Sequence, residues 1–171
     1  MTDVLDSTRR ILSTTAARWQ SLVETAPEEL FRRPPAPGEW SAADCLNHLL
    51  LAERVIWGSR LRAVLEGRDL VTFDPSAPRD PEPERTLREA ATALAAERGE
   101  NLSVLSGLTP ADLERSGRHP EYGMIALHVV LNSWAAHDLQ HTVQAEEALM
   151  QAFLPGTGPF RFRFADHEAR T

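Results

Sequence analysis

The sequence predicts an all-α protein: a four-helix bundle with a long crossover connection and a short extra helix. Three observations lead there. Four long segments repeat apolar residues at three- and four-residue spacing, no segment makes a convincing run of strands, and proline-rich stretches punctuate the helices. A chain of 171 residues has room for one domain with a proper core. The bundle is expected over residues 1–154, with an extended C-terminal tail over 155–171.

The first helix is predicted over residues 5–26, where Leu5, Ile11, Leu12, Ala16, Trp19, Leu22, Val23 and Ala26 form one stripe. Pro27 and the run from Arg33 to Gly38 interrupt it. A second helix starts at Ser41, a good N-cap with Asp44 three residues on and Trp40 before it as a hydrophobic staple. It should run unbroken through Leu46, Leu49, Leu50, Ile56, Trp57 and Leu61 to Gly67. Residues 74–83 hold four prolines and no regular pattern, so they read as the long surface crossover. The third helix spans 84–106, and residues 109–113 make a short capped turn with Pro110 at its first position. The fourth begins at 121–124 and reaches Met150. In the tail, Phe160, Phe162 and Phe164 alternate with arginines, which predicts an extended segment docking three rings on one side.

Composition removes several classes of function. The net charge of −7 repels phosphate backbones, which argues against nucleic-acid partners. There is no apolar run of membrane-spanning length and the amino terminus is acidic, so no membrane role and a cytoplasmic location are expected. Cys45 is the single cysteine, reads as a small buried side chain, and excludes a cysteine-cluster zinc site. All eighteen basic residues are arginine, which removes lysine Schiff-base chemistry.

The chemistry-bearing feature is the fourth helix, where His137 and His141 interrupt an apolar stripe. Four residues advance a helix by just over one turn, so both imidazoles leave one face and can converge on a cation. A third ligand must come from elsewhere. His48 projects from an inward stripe of the second helix, and facing helices are where bundles build such sites. A core histidine that merely hydrogen-bonds is the competing reading. His128 is half a turn out of phase, His119 sits before Pro120 near a pocket mouth, and His167 lies in a polar terminus. Position 138 is Asp where a zincin protease carries Glu, so that reading fails.

Gly38-Glu39-Trp40-Ser41 ahead of His48 and Glu53, then His119-Pro120-x-x-Gly123 ahead of His137-Asp138-Leu139-Gln140-His141, resembles the DinB/YfiT superfamily in order and spacing. That resemblance implies a four-helix bundle with a divalent metal on His48, His137 and His141, and often a homodimer. Three neutral imidazoles would leave coordination positions open, the character of a catalytic site. An open site can lower the pKa of bound water, polarise a carbonyl or hold a thiolate. Zinc, nickel and iron all suit imidazole ligands. Asp44, Asp138 and Gln144 are positioned to accept an imidazole N–H.

The resemblance further implies a metal-dependent transferase using a low-molecular-weight thiol on a small-molecule substrate, or a metal-dependent hydrolase. Transfer is preferred because no carboxylate base accompanies the histidine pair, with Arg54, Arg60 and Arg62 as candidates to hold an anionic thiol. The third reading is a non-catalytic stress-response or binding module with a structural metal. The fourth helix is apolar around much of its first half (Ile125 to Leu131), which hints at a subunit interface.

Overall fold

In the computed structural model, which describes residues 3–73 and 85–168, the chain is a four-helix bundle. The order is α1 (Val4–Thr25), α2 (Glu28–Arg32), α3 (Ala42–Ala52), a π turn (Glu53–Trp57), α4 (Gly58–Glu66), α5 (Leu87–Ser106), β1 (Ser116–His119), β2 (Gly123–Ala126) and α6 (Leu127–Met150). Helix α1 packs on α5 and α6, and α3 packs on the same two. The first two long helices are therefore held apart by α5 and α6, and α2 carries the chain between them. The predicted crossover at 74–83, like the expected start of the third helix at 84, lies outside the described residues.

Local chemistry sets the helix ends. Asp3 accepts from the Leu5 and Asp6 amides at the start of α1. Ser41 and Asp44 form a reciprocal capping box on α3, and Thr86 and Glu89 form another on α5. Gly67 closes α4 with φ 68°, a left-handed conformation that glycine adopts without steric cost. Two apolar clusters fill the bundle, one around Leu12, Leu61, Leu131 and Trp134, the other around Trp19, Phe31, Leu46 and Leu94.

Four expectations are corrected. The second helix is not a continuous α-helix, because the π turn inserts extra backbone at 53–57, and such turns recur at functional sites. The segment before α6 is a hairpin, not helix: β1 and β2 pair antiparallel with Arg118 opposite Met124 and His119 opposite Gly123. Gly123 takes φ 75°, so α6 begins only at Leu127. The tail is not extended either. Residues Leu154–His167 coil into successive 3₁₀ turns broken at Gly158, so the three phenylalanines do not share a face, and Phe160 and Phe162 stay exposed. Prolines 155 and 159 deprive a strand of donors there. Finally, α6 buries Leu127, Val130 and Leu131, and its apolar excess narrows to Val129, Leu139 and Val143 at the surface.

Candidate metal centre

His48 on α3 meets His137 and His141 on α6, and one nitrogen from each ring lies within 4.8 Å of the others. The capping box fixes the start of α3 and hence where His48 points, while the 137/141 spacing stacks the other two rings on one face of α6. The His48 and His137 Nε2 atoms are 3.0 Å apart. Two nitrogens that bind one zinc-sized ion at about 2.1 Å each stand roughly 3 to 3.5 Å apart, so the spacing suits a shared cation.

Protonation favours the same use. Burial, reinforced by neighbouring imidazoles, pushes His48 down to about 4 and His137 down to about 3. Both rings are therefore neutral at physiological pH and offer lone pairs. Gln144 Oε1 accepts from His141 Nδ1 at 2.9 Å, which leaves the His141 Nε2 lone pair available. His137 Nδ1 departs from this pattern, being buried without a hydrogen-bond partner.

Aromatic rings wall the cluster. Trp40 lies 5.0 Å from His48 and 5.6 Å from His141 between ring centroids, and Trp57 lies 5.3 Å from His137. Trp40, expected as a staple at the helix start, is thus also a lid over two imidazoles and remains 39% exposed. Beyond Trp40 and Gln144 opens a cleft of about 260 Å³, lined also by Glu39, Glu147, Asp166 and His167. Its volume suits a small molecule, and its lining is acidic.

The other predicted residues divide. Gln144 holds His141, whereas Asp44 is turned to Ser41, accepting from its amide and hydroxyl at 2.9 and 2.6 Å. Asp138 faces the core and accepts from Arg98 at 2.8 and 3.2 Å, so it orients no imidazole. The helix turns side chain 138 about 100° from its neighbour at 137, toward Arg98 on α5. Arg54 pairs with Glu97 at 2.9 Å, Arg60 reaches the Val71 carbonyl, and Arg62 binds the Gly58 carbonyl and Asn101. None of the three lines the cleft. His128 is hydrogen-bonded to the Leu113 carbonyl, and His119, 5% exposed, stacks on Tyr122 in the hairpin. His167 stands at the cleft, 3.7 Å from Glu147.

Arg98, Glu53 and Asn101 form a polar group that the helical spacing did not single out. All five guanidinium N–H groups of Arg98 find acceptors: both Glu53 oxygens at 2.9 Å, both Asp138 oxygens, and the Leu12 carbonyl at 2.7 Å. Asn101 donates to Glu53 at 2.8 Å. A Cβ on Gly58 would stand 2.8 Å from the Asn101 amide, so glycine is what admits it. Burial pushes the Glu53 and Asp138 carboxyls up against the opposing pull of Arg98. The detectable sign was polar residues at 98 and 101 on the Leu87–Leu94–Leu105 stripe, the same kind of interruption that marked the histidines.

Sequence comparison now decides the family. The DinB superfamily profile matches residues 11–145. The chain belongs to the DinB superfamily. Among solved structures, YfiT from Bacillus subtilis, described as a probable metal-dependent hydrolase with an unusual four-helix bundle topology, matches with a TM-score of 0.73. It is 19% identical over 87% of each chain, a likeness of fold. No curated protein matches in sequence. Among the described residues of this DinB-family chain, no helix is long and apolar enough to cross a membrane.

Proposed function

We propose that this protein binds a divalent cation on His48, His137 and His141 and is a metal-dependent enzyme acting on a small molecule. The observation that carries the reading is three ligand nitrogens within 4.8 Å, drawn from two facing helices and beside a cleft. The donor set fits zinc, nickel or iron, since all three ligands are imidazoles. When bound, such an ion supplies Lewis acidity that depresses a thiol's pKa or polarises a carbonyl.

The chain's own residues do the rest. Gln144 holds the His141 ring and its tautomer. Trp40 and Trp57 cover the imidazoles and keep bulk water off two sides. We favour transfer by a low-molecular-weight thiol, because the carboxylates on the helix segments that carry the histidines are engaged, Asp44 in its capping box and Glu53 and Asp138 on Arg98, while those lining the cleft lie beyond Trp40 and Gln144. A thiolate needs no general base once its proton is lost. The acidic cleft suits a neutral or cationic partner over an anionic one. Hydrolysis is the second reading, favoured by the description of YfiT. A homodimer would cover the uncharged stripe of Val129, Leu139 and Val143 on α6.

The test has two stages. Elemental analysis of protein purified without added metal should return a transition ion. The ion-loaded protein is then screened with small thiols against electrophiles, and with esters and amides without thiol. Thiol-dependent turnover that disappears in His137→Ala, with helical circular dichroism intact, supports transfer. Thiol-independent turnover moves the assignment to hydrolysis. Cation binding with no turnover in either screen leaves a structural metal in a binding module.

A further inference from the structure

One buried group carries more charge than the fold needs. Glu53, Arg98 and Asp138 are each 1% exposed, and the donors they share leave two carboxylates against one guanidinium. Arg98 and Asn101 present only N–H donors to these carboxylates, which suits the ionised form of both acids. Arg62, which touches the group through Asn101, is half-buried and spends its Nη1 on the Asn101 amide oxygen and the Gly58 carbonyl, not on a carboxylate. With both acids ionised, as this donor set favours against the burial that pushes each carboxyl up, the fully buried group carries one surplus negative charge. Burying an uncompensated charge is costly, and hydrophobic residues of similar volume commonly do as well or better for stability. Stability alone does not account for it.

The surplus lies beneath the three histidines. Asp138 follows His137 directly on α6, and Glu53 begins the π turn that continues the helix carrying His48. A stack of rings joins the two groups: Arg98 lies 5.6 Å from the Trp134 ring, Trp134 stacks on Trp57 at 6.0 Å, and Trp57 meets His137 at 5.3 Å. The low-dielectric medium between them screens charge weakly. Three neutral imidazoles leave both charges of a divalent cation unbalanced.

We infer that Glu53 and Asp138, held by Arg98, are the counter-charge of the cation site, stabilising a divalent ion on His48, His137 and His141 without touching it. This rests on the metal-dependent reading above and deepens it. Arg98 has a double part: it holds both carboxylates in place and cancels one of their two charges. The arrangement favours a cation over a neutral occupant of the same imidazoles, and it makes the signs of three substitutions differ.

The experiment is calorimetric titration of the metal-free protein with Zn²⁺ at neutral pH, for wild type, Asp138→Asn, Glu53→Gln and Arg98→Gln. Helical circular dichroism and urea midpoints are recorded for each. Asp138→Asn and Glu53→Gln keep side-chain shape and remove charge, and each should weaken Zn²⁺ binding about tenfold or more. Arg98→Gln removes the opposing charge and should tighten binding while lowering the urea midpoint. A merely structural group would instead lower stability in all three and leave binding unchanged, or weaken it in all three alike. Either pattern overturns the inference. If Arg98→Gln does not fold, the two acid variants decide: folded variants with wild-type affinity overturn it, and weakened affinity in both supports it. A wild-type protein that takes up no Zn²⁺ strikes the metal-dependent reading itself, a result separate from any of these.

Discussion

Two polar groups interrupt the apolar stripes of this bundle, and they are finished to different degrees. Around Arg98 every guanidinium N–H has an acceptor and every member is almost fully buried. Around His137 two of the rings are half-buried and the third is buried, one nitrogen lacks a partner, and the His48 and His137 Nε2 atoms sit 3.0 Å apart. A satisfied buried group rigidifies the chain around it. An unsatisfied one beside a cleft can take a partner from outside the chain. The contrast sets a group closed on itself against the group proposed to bind a cation, and burial alone would not have drawn it.

The comparison can be broken most forcefully at its closed end. Arg98→Ala would leave two carboxylates facing each other in the core. We expect a loss of about 3 to 5 kcal/mol in unfolding free energy, read from urea denaturation. A loss below about 1 kcal/mol would mean the network is dispensable. At the open end, His137→Ala should abolish stoichiometric Zn²⁺ uptake, measured by elemental analysis. Its unfolding midpoint without metal should fall far less than that of Arg98→Ala, since losing the ring and its contact to His48 leaves no buried charge unpaired.

Two smaller effects sharpen the boundary between the groups. Gln144→Leu frees His141 to rotate and should weaken Zn²⁺ binding by roughly 10- to 100-fold in titration, with the fold retained. Gly58→Ala pushes a methyl group against the Asn101 amide and should cost about 1 to 3 kcal/mol. It should change Zn²⁺ affinity much less than Gln144→Leu does. The smallest effect is expected at Cys45, one turn before His48 yet completely buried. Burial pushes its thiol up to about 11, so thiol reagents should leave it unlabelled in the native protein at pH values well below that. Rapid native labelling would show that α3 opens, and with it the wall behind His48.

What was legible in the sequence followed from local periodicity. The spacing of Leu5, Leu12, Trp19 and their counterparts made helices, Ser41 and Asp44 marked a start, and Gly67 marked a stop. The same reasoning exposed His137 and His141, because histidines break an apolar stripe visibly. Arg98 and Asn101 broke the α5 stripe in the same way, and their partners on other elements were what gave them meaning.

By itself, then, the sequence determined four helical segments, their inward faces, and which face held imidazoles, since each of these depends on neighbours three or four positions away. Only the tertiary structure decided that Asp138 turns to Arg98 while Gln144 serves His141, that 53–57 winds as a π turn, and that 123–126 pairs as a strand. Those outcomes compare alternative hydrogen bonds of similar strength. The comparison is settled by which partner a distant segment brings within about 3 Å.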